Sequence, residues 1–345
     1  MNTNMNAYNN ANNLYCLRDW INPDNLDWNT LSANPNAIAL LESNPELIDW
    51  VSLSANPSAS HLLQTSPQNI HWSSICANTD STVLQILKHH PNKINWFILS
   101  GNSASYALEL LKQNPEKINW FKLSQNTHPD AVELLHQHPE KINWYLFSKY
   151  ATKSSVSLLQ QYKHKIQWHS FSENTNLNIH DIFDNESDIH KYIDWCGLSQ
   201  NSSNYAIKQL QENPDKIIWF FLSQNTNPKA IQILEQNTDK IDFYWFASNP
   251  NCVDLMTKLI HSHYNEIEWY LLSENIHAIP LLQQHQDKIN WASFSSNPNI
   301  FTINYTFLKE RMYKTGLFEQ LMVNRFHPKN IHKFDGWGFD VPWNC

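Results

Sequence analysis

The stretch NPEKINWFKLSQNTHPDAVELLHQHPEKINWYLFS, Asn114 to Ser148, contains PEKINW twice, 24 residues apart. Followed outward, the same beat gives Trp28, Trp50, Trp72, Trp96, Trp120, Trp144, Trp168, Trp195, Trp219, Trp269 and Trp291, with Phe243 standing in the one gap. The spacing is 22 or 24 residues except before Trp195 (27) and Trp269 (26). Two residues before each ring stands Ile, or Leu26 in the first unit. Three residues after it stands Leu, Ile or Phe, usually followed by Ser. Six residues after it stands Asn, from Asn34 to Asn297, with Tyr150 the one exception. Four columns kept in register over twelve units leave a chain few choices. A fixed period of this length is the mark of a repeat array, in which each unit covers its neighbour's apolar face.

One unit, NPNAIALLESNPELIDWVSLSAN, Asn34 to Asn56, shows how it folds. Asn34-Pro35 reads as an N-cap followed by Pro at the first helical position, where a missing N–H costs nothing. Ala37, Ile38, Leu40 and Leu41 then recur at helical spacing. Asn44-Pro45 repeats the signal and starts a second helix carrying Ile48, Trp50 and Leu53. Helices this short are not stable alone, so stacking must supply the core. The expected fold is all-α: an α-solenoid of about twelve short two-helix repeats. The Trp, Ile and Leu columns form its core ladder. The Asn column supplies N-caps. With layers about 8–10 Å apart, twelve units predict a rod or arc on the order of 100 Å.

Residues 1–21 read as a polar, Asn-rich N-terminal tail, residues 22–300 as the solenoid and residues 301–345 as a C-terminal capping region. A cap is expected because terminal repeats need a polar outer face. No apolar segment suits a signal peptide or a membrane span. The net charge is -8 with three arginines, which disfavours general phosphate-backbone binding. Five scattered cysteines make no disulfide or zinc pattern and fit reduced thiols in a cytosolic setting.

No phosphate loop or nucleophile motif is present, so no catalytic residue, no metal ligand and no cofactor is assigned, and the chain is not read as an enzyme. FDGWGFD, Phe334 to Asp340, reads as a turn rather than a carboxylate pair. His90, His138, His263 and His285 occupy the position six residues before the Trp, held elsewhere by Asn44, Asn114, Asn213 and Asn237. They are junction residues before they are metal ligands. Lysines recur three residues before the Trp, at Lys93, Lys117, Lys141, Lys165, Lys216, Lys240 and Lys288, and keep single-stranded nucleic acid open as an alternative.

The columns beside the Trp carry the binding candidates. Before it stand polar residues, Asn95, Asn119 and Asn143 among them. After it stand Phe97, Phe121, Tyr145, Phe220, Tyr244 and Tyr270. A core Trp turns its neighbour about 100° round the helix, so these rings either pack between units or form a half-exposed binding stripe.

The unit NPxxIxWxxLSxNPxAIxLL, carried by Asn34 to Asn56 and by Asn213 to Asn225, resembles tandem repeats in proteins of giant DNA viruses, the mimivirus-like nucleocytoplasmic large DNA viruses. LFEQLMVNRFHPKNIHKFDGWGFD, Leu317 to Asp340, is similar to the ends of many of these proteins. The resemblance covers nearly the whole chain and transfers no activity. It implies a viral protein acting in host cytoplasm or packaged in the virion. The function expected is a non-enzymatic scaffold for a protein partner of viral or host origin, with nucleic acid and membrane disfavoured. The segment Ile166 to Trp195 departs from the pattern by lacking Pro and being longer.

Overall fold

The structure is a computed structural model that describes residues 14–183, 192–325 and 329–330. The Asn-rich residues 1–13, the extra residues before Trp195 at 184–191 and the FDGWGFD segment lie outside these. The chain forms two compact units, Trp20–Ile300 and a smaller one that joins residues 1–19 to residues 301–345.

Within Trp20–Ile300 most repeats are built alike, whereas between Ser172 and Trp195 the described residues hold the 3-10 turn Ile179–Asp181 but no α-helix. A helix such as Ser105–Gln113 leads to a 3-10 turn, Pro115–Lys117, then to a short helix starting on the repeat aromatic, Trp120–Leu123. The second helix of the sequence reading is therefore two pieces. Its break falls at the Ile and the polar residue before the Trp, both extended: Ile48 has ψ 123° and Asp49 ψ 103°. The polar residue restarts the helix as an N-cap, with Asp49 Oδ2 accepting from Ser52 N–H at 2.8 Å.

The core runs along the residue three after each Trp. From Leu31 to Phe294 these twelve side chains are at most 4% exposed. The Trp rings themselves are half-buried rather than core. The junction residue of the next unit often lies against the exposed face, as with Trp72 on His90 (4.6 Å between centroids), Trp120 on His138 (4.9 Å) and Trp144 on Tyr162 (5.4 Å). Where Asn holds the junction it donates back to the helix instead, Asn114 Nδ2 to Leu110 O at 2.9 Å.

The Asn column does more than cap. Each of its eleven amides is at most 6% exposed. Its oxygen accepts the N–H two residues on, closing the corner, as from Ser58 to Asn56 at 2.9 Å. Its nitrogen donates twice to the preceding unit: Asn56 Nδ2 to Ser32 O and to Asn34 O, both at 3.0 Å. The helix proper starts later, at Ile38 or Ser60. A second ladder runs beside it. Ser100 Oγ donates to Trp96 O (2.7 Å) and accepts from Asn119 N–H of the next unit (2.9 Å). Cys76 replaces the hydroxyl in one unit, accepting from Asn95 N–H at 3.3 Å. At the unit holding Tyr150, Ala151 takes the Asn place: its carbonyl accepts from Asn174 Nδ2 at 2.9 Å.

Both ladders close. Asn34 Nδ2, in the first unit, donates to Ser295 O (3.1 Å) and Asn297 O (3.0 Å) in the last. Asp27 N–H donates to Ser295 Oγ (2.9 Å), Thr30 Oγ1 to Ala292 O (2.8 Å) and Asn36 Nδ2 to Pro298 O (3.1 Å). The solenoid is a ring, not a rod or arc, and its last unit is covered by its first. The Trp helices, four to seven residues long, pack closely side by side, while the other layer reaches eleven residues at Val253–His263 and is more widely spaced. In a closed ring the tighter layer has the smaller circumference, so the Trp helices form the inner wall. Twelve of them at about 9 Å give about 35 Å between opposite axes. Subtracting a helix diameter leaves a bore about 25 Å across.

In the smaller unit, β1 (Tyr15–Leu17) pairs antiparallel with β2 (Phe301–Ile303), Cys16 opposite Thr302. The expected polar tail thus contains a strand. Asn304 then caps the helix Tyr305–Lys314, and Gly316, at φ 68°, turns the chain into Leu317–Gln320. No helix among the described residues is long and apolar enough to cross a membrane.

Asn225→Ala removes two donated bonds and strands two buried carbonyls. It is expected to lower unfolding free energy by about 2–4 kcal/mol in urea titrations. Asn225→Asp, with no N–H to give, should cost at least as much. Ring closure is checked by a Thr30→Cys/Ala292→Cys variant with the natural cysteines changed to Ser. A bifunctional maleimide should link the pair within one chain, without dimers on a denaturing gel.

Candidate interaction surface in the bore

The wall of the bore follows from helix geometry. Each Trp helix anchors through its fourth residue, at about 300° round the helix from the Trp. The opposite direction, about 120°, lies between the residue one after the Trp and the residue five after it. These two columns face the bore, while the Ser column and the residue two after the Trp face neighbouring units. Phe97, Phe121, Tyr145, Phe220, Tyr244 and Tyr270 belong to the first bore column and are 37–51% exposed. They are half-exposed while also touching the adjacent unit, as where the Phe220 ring meets Trp245 of the next unit edge-on at 5.4 Å between centroids. They fall in the fourth to sixth and ninth to eleventh units, forming two arcs whose centres are five units apart in twelve. The arcs therefore nearly oppose each other across the bore.

Asn95, Asn119 and Asn143 are N-caps, accepting from Ile98 N–H (3.2 Å), Lys122 N–H (2.9 Å) and Leu146 N–H (3.0 Å). They stand beside the bore column of the preceding unit: Asn95 Nδ2 donates to Ser73 Oγ at 3.1 Å. The two sets of candidates thus share one wall. Their stabilising role as caps was not visible in the sequence, although the change from Asp to Asn along the column is the substitution a cap tolerates.

Between the arcs the wall is charged. Lys149 pairs with Glu173 of the next unit, and Glu173 raises the Lys149 ammonium above its ordinary range through a hydrogen bond. His169 Nδ1 lies 3.0 Å from Asp194 Oδ1 and its Nε2 3.6 Å from Glu173 Oε1. These units approach so closely that a Cβ on Gly197 would lie 2.9 Å from His169 O. A cleft of about 250 Å³ beside Phe97, Gly101, Lys122 and Gln125 opens in the first arc, with Lys122 Nζ 5.0 Å from the Phe97 ring centroid.

The lysine column lies in the exposed 3-10 turns. An acidic residue precedes several of its members: Asp215 is 3.2 Å from Lys216, Asp239 3.2 Å from Lys240 and Asp287 3.9 Å from Lys288. Glu116 and Glu140 hold the same place before Lys117 and Lys141. The column alternates in sign and makes no continuous basic stripe. Also outside the sequence reading is a cleft of about 620 Å³ beside Trp96, Tyr106 and Glu109, where one helix of the outer layer ends early and continues as the 3-10 segment Gln85–His89. No group of three His, Cys, Asp or Glu side chains among the described residues could hold a metal ion.

No protein-family model, no curated protein and no solved structure matches this chain.

Burial pushes the Cys252 thiol up to about 12 and raises Cys76 as well, so both stay protonated at pH 8. Iodoacetamide should leave these two unmodified in the folded protein while alkylating the less buried Cys196, with all three modified in guanidinium. Peptide mass mapping checks this.

Proposed function

We propose that the chain is a non-enzymatic ring scaffold that binds a protein partner through the wall of its bore. The observation that carries this reading is the exposure of six aromatic rings on the one face of the Trp helices that no other part of the ring covers. Large rings held on short, doubly laddered helices lose little freedom on binding, and aromatic anchors dominate interface energies. The caps Asn95, Asn119 and Asn143 beside the first arc add amide groups suited to a peptide backbone. The resemblance to giant-virus repeat proteins supports a viral protein acting in host cytoplasm or carried in the virion, with a viral or host partner. The single-stranded nucleic-acid alternative is weakened by the acids that accompany the lysine column and by the scarcity of cations on the bore wall.

The test is affinity capture with the tagged ring from infected-cell lysate, beside a Phe97→Ser/Phe121→Ser/Tyr145→Ser/Tyr244→Ser variant. These side chains are half-exposed, so the variant should melt within a few degrees of the wild type. A stoichiometric protein captured only by the wild type is the expected result. A catch lost on nuclease treatment would favour nucleic acid. Equal capture by both would remove the bore from the reading.

A further inference from the structure

The two aromatic arcs differ in charge. Around Phe97, Phe121 and Tyr145 the helix caps are the amides Asn95, Asn119 and Asn143, and the charges beside the rings are cationic: Lys122 over Phe97 and Lys149 on the helix of Tyr145. Around Phe220, Tyr244 and Tyr270 stand carboxylates. Asp242 caps the helix Phe243–Ser248, Glu268 precedes Trp269, and Glu274 is the residue five after it, on the bore column. The neighbouring Tyr244 hydroxyl, followed by the Glu274 and Glu268 carboxylates, raises the Tyr270 phenol above its ordinary range. The wall and its capping rim as a whole carry Asp27, Asp49, Glu173, Asp194, Asp242, Glu268 and Glu274 against only Lys122 and Lys149. Seven carboxylates against two ammonium groups place most of the chain's net charge of -8 at the bore. Lys149 is already committed to Glu173.

Building on the reading that the bore binds protein, we propose that its partner is a basic polypeptide segment, whose lysine or arginine side chains enter the second arc among Tyr244, Tyr270, Glu268 and Glu274. Ring faces attract a cation through their quadrupole, and flanking carboxylates add charge without a cation of the ring's own to compete. The bore size fits this. A bore of about 25 Å, wall side chains included, has room for an α-helix, about 10–12 Å wide, or a pair of extended strands. The uncharged amides of the first arc receive the segment's other side, so the basic residues face the ninth to eleventh units.

The test is selection of random dodecapeptides on the immobilised ring, followed by fluorescence anisotropy of the selected peptides. The comparison is Asp242→Asn/Glu268→Gln/Glu274→Gln, in which Asn keeps the cap that four other units make with Asn. Glu116→Gln/Glu140→Gln removes charge from the outer turns as a control. Selected peptides should be enriched in Lys and Arg and bind the wild type about tenfold more tightly than the triple variant. The control should bind like the wild type, and the advantage should shrink at high salt. Peptides selected without basic enrichment, but lost with Phe97→Ser/Phe121→Ser, would overturn the charge inference and leave the protein-binding reading standing. Failure to select any peptide would overturn both. Melting curves of each variant separate lost binding from lost fold.

Discussion

The buried amide at each junction holds this fold together. A helix of four to seven residues cannot persist alone, and its last carbonyls have no intrahelical partner. In eleven of the twelve units the Asn nitrogen supplies two donors to such carbonyls in the unit before, while its oxygen turns the chain into its own next corner. One side chain therefore ends one helix, shapes the next corner and fixes the distance between units. An unpaired carbonyl buried at that place would cost more than the bond gains, so the amide specifies register as well as adding stability. The Ser hydroxyl does the same at the other side of the helix, accepting an extended N–H from the next unit. Because each ladder is carried by eleven of the twelve units, the Trp rings can stand half-exposed without loosening the stack.

Closure follows from near-identical junctions. If every unit turns by the same small angle relative to the last, twelve such turns bring the first unit against the twelfth, and the same bonds form there as elsewhere. The geometry also divides labour between layers. The inner helices must be short and closely spaced, which leaves room for only the Leu anchor outward and two columns inward. The outer helices have slack, and their lengths vary from unit to unit. Charged pairs such as Lys112 with Asp130 at 2.7 Å and Lys258 with Glu235 at 2.6 Å occupy that exposed layer, where each contributes little.

Much of this was readable from the chain, and the misses have physical causes. The Leu column and the unit length follow directly from periodicity, and the helical wheel correctly turns Phe97 and Tyr244 away from the core. The Asn column looked like a set of N-caps because a local signal shows the Asx corner and hides the carbonyls it reaches one unit away. The Trp reads as core because it keeps register with the Ile and Leu columns, yet it stands at the first helical residue, where it is only half-buried. The break at Ile48-Asp49 was marked by the Asp itself, a capping residue in mid-segment. Curvature is a sum of small rotations that no single unit displays. A signal for closure was nonetheless present. The first unit, with Leu26, Trp28, Leu31 and Asn34, and the last, with Ile289, Trp291, Phe294 and Asn297, both keep the full interior pattern. An open array would have placed polar residues on those outer faces.

The irregular units explain why the wall is not uniform. Where Ala151 stands at the Asn place, the amide that would bridge back to the preceding unit is missing. Toward the next unit, by contrast, Lys149 reaches Glu173, and His169 then reaches Asp194 one unit further. Charged contacts thus tie together the stretch where the ladder is interrupted and the spacing lengthens. Those contacts require charged or imidazole side chains on the bore columns, so His169 follows Tyr145 in the column where both arcs carry Phe or Tyr, and Gly197 lets the two inner helices meet. The interruption splits one continuous aromatic column into two arcs. A uniform ring of twelve aromatics would present the same face to any orientation of a ligand. Two unlike arcs, one lined by amides and one by carboxylates, give the bore a direction, and with it a means of fixing how an asymmetric partner sits.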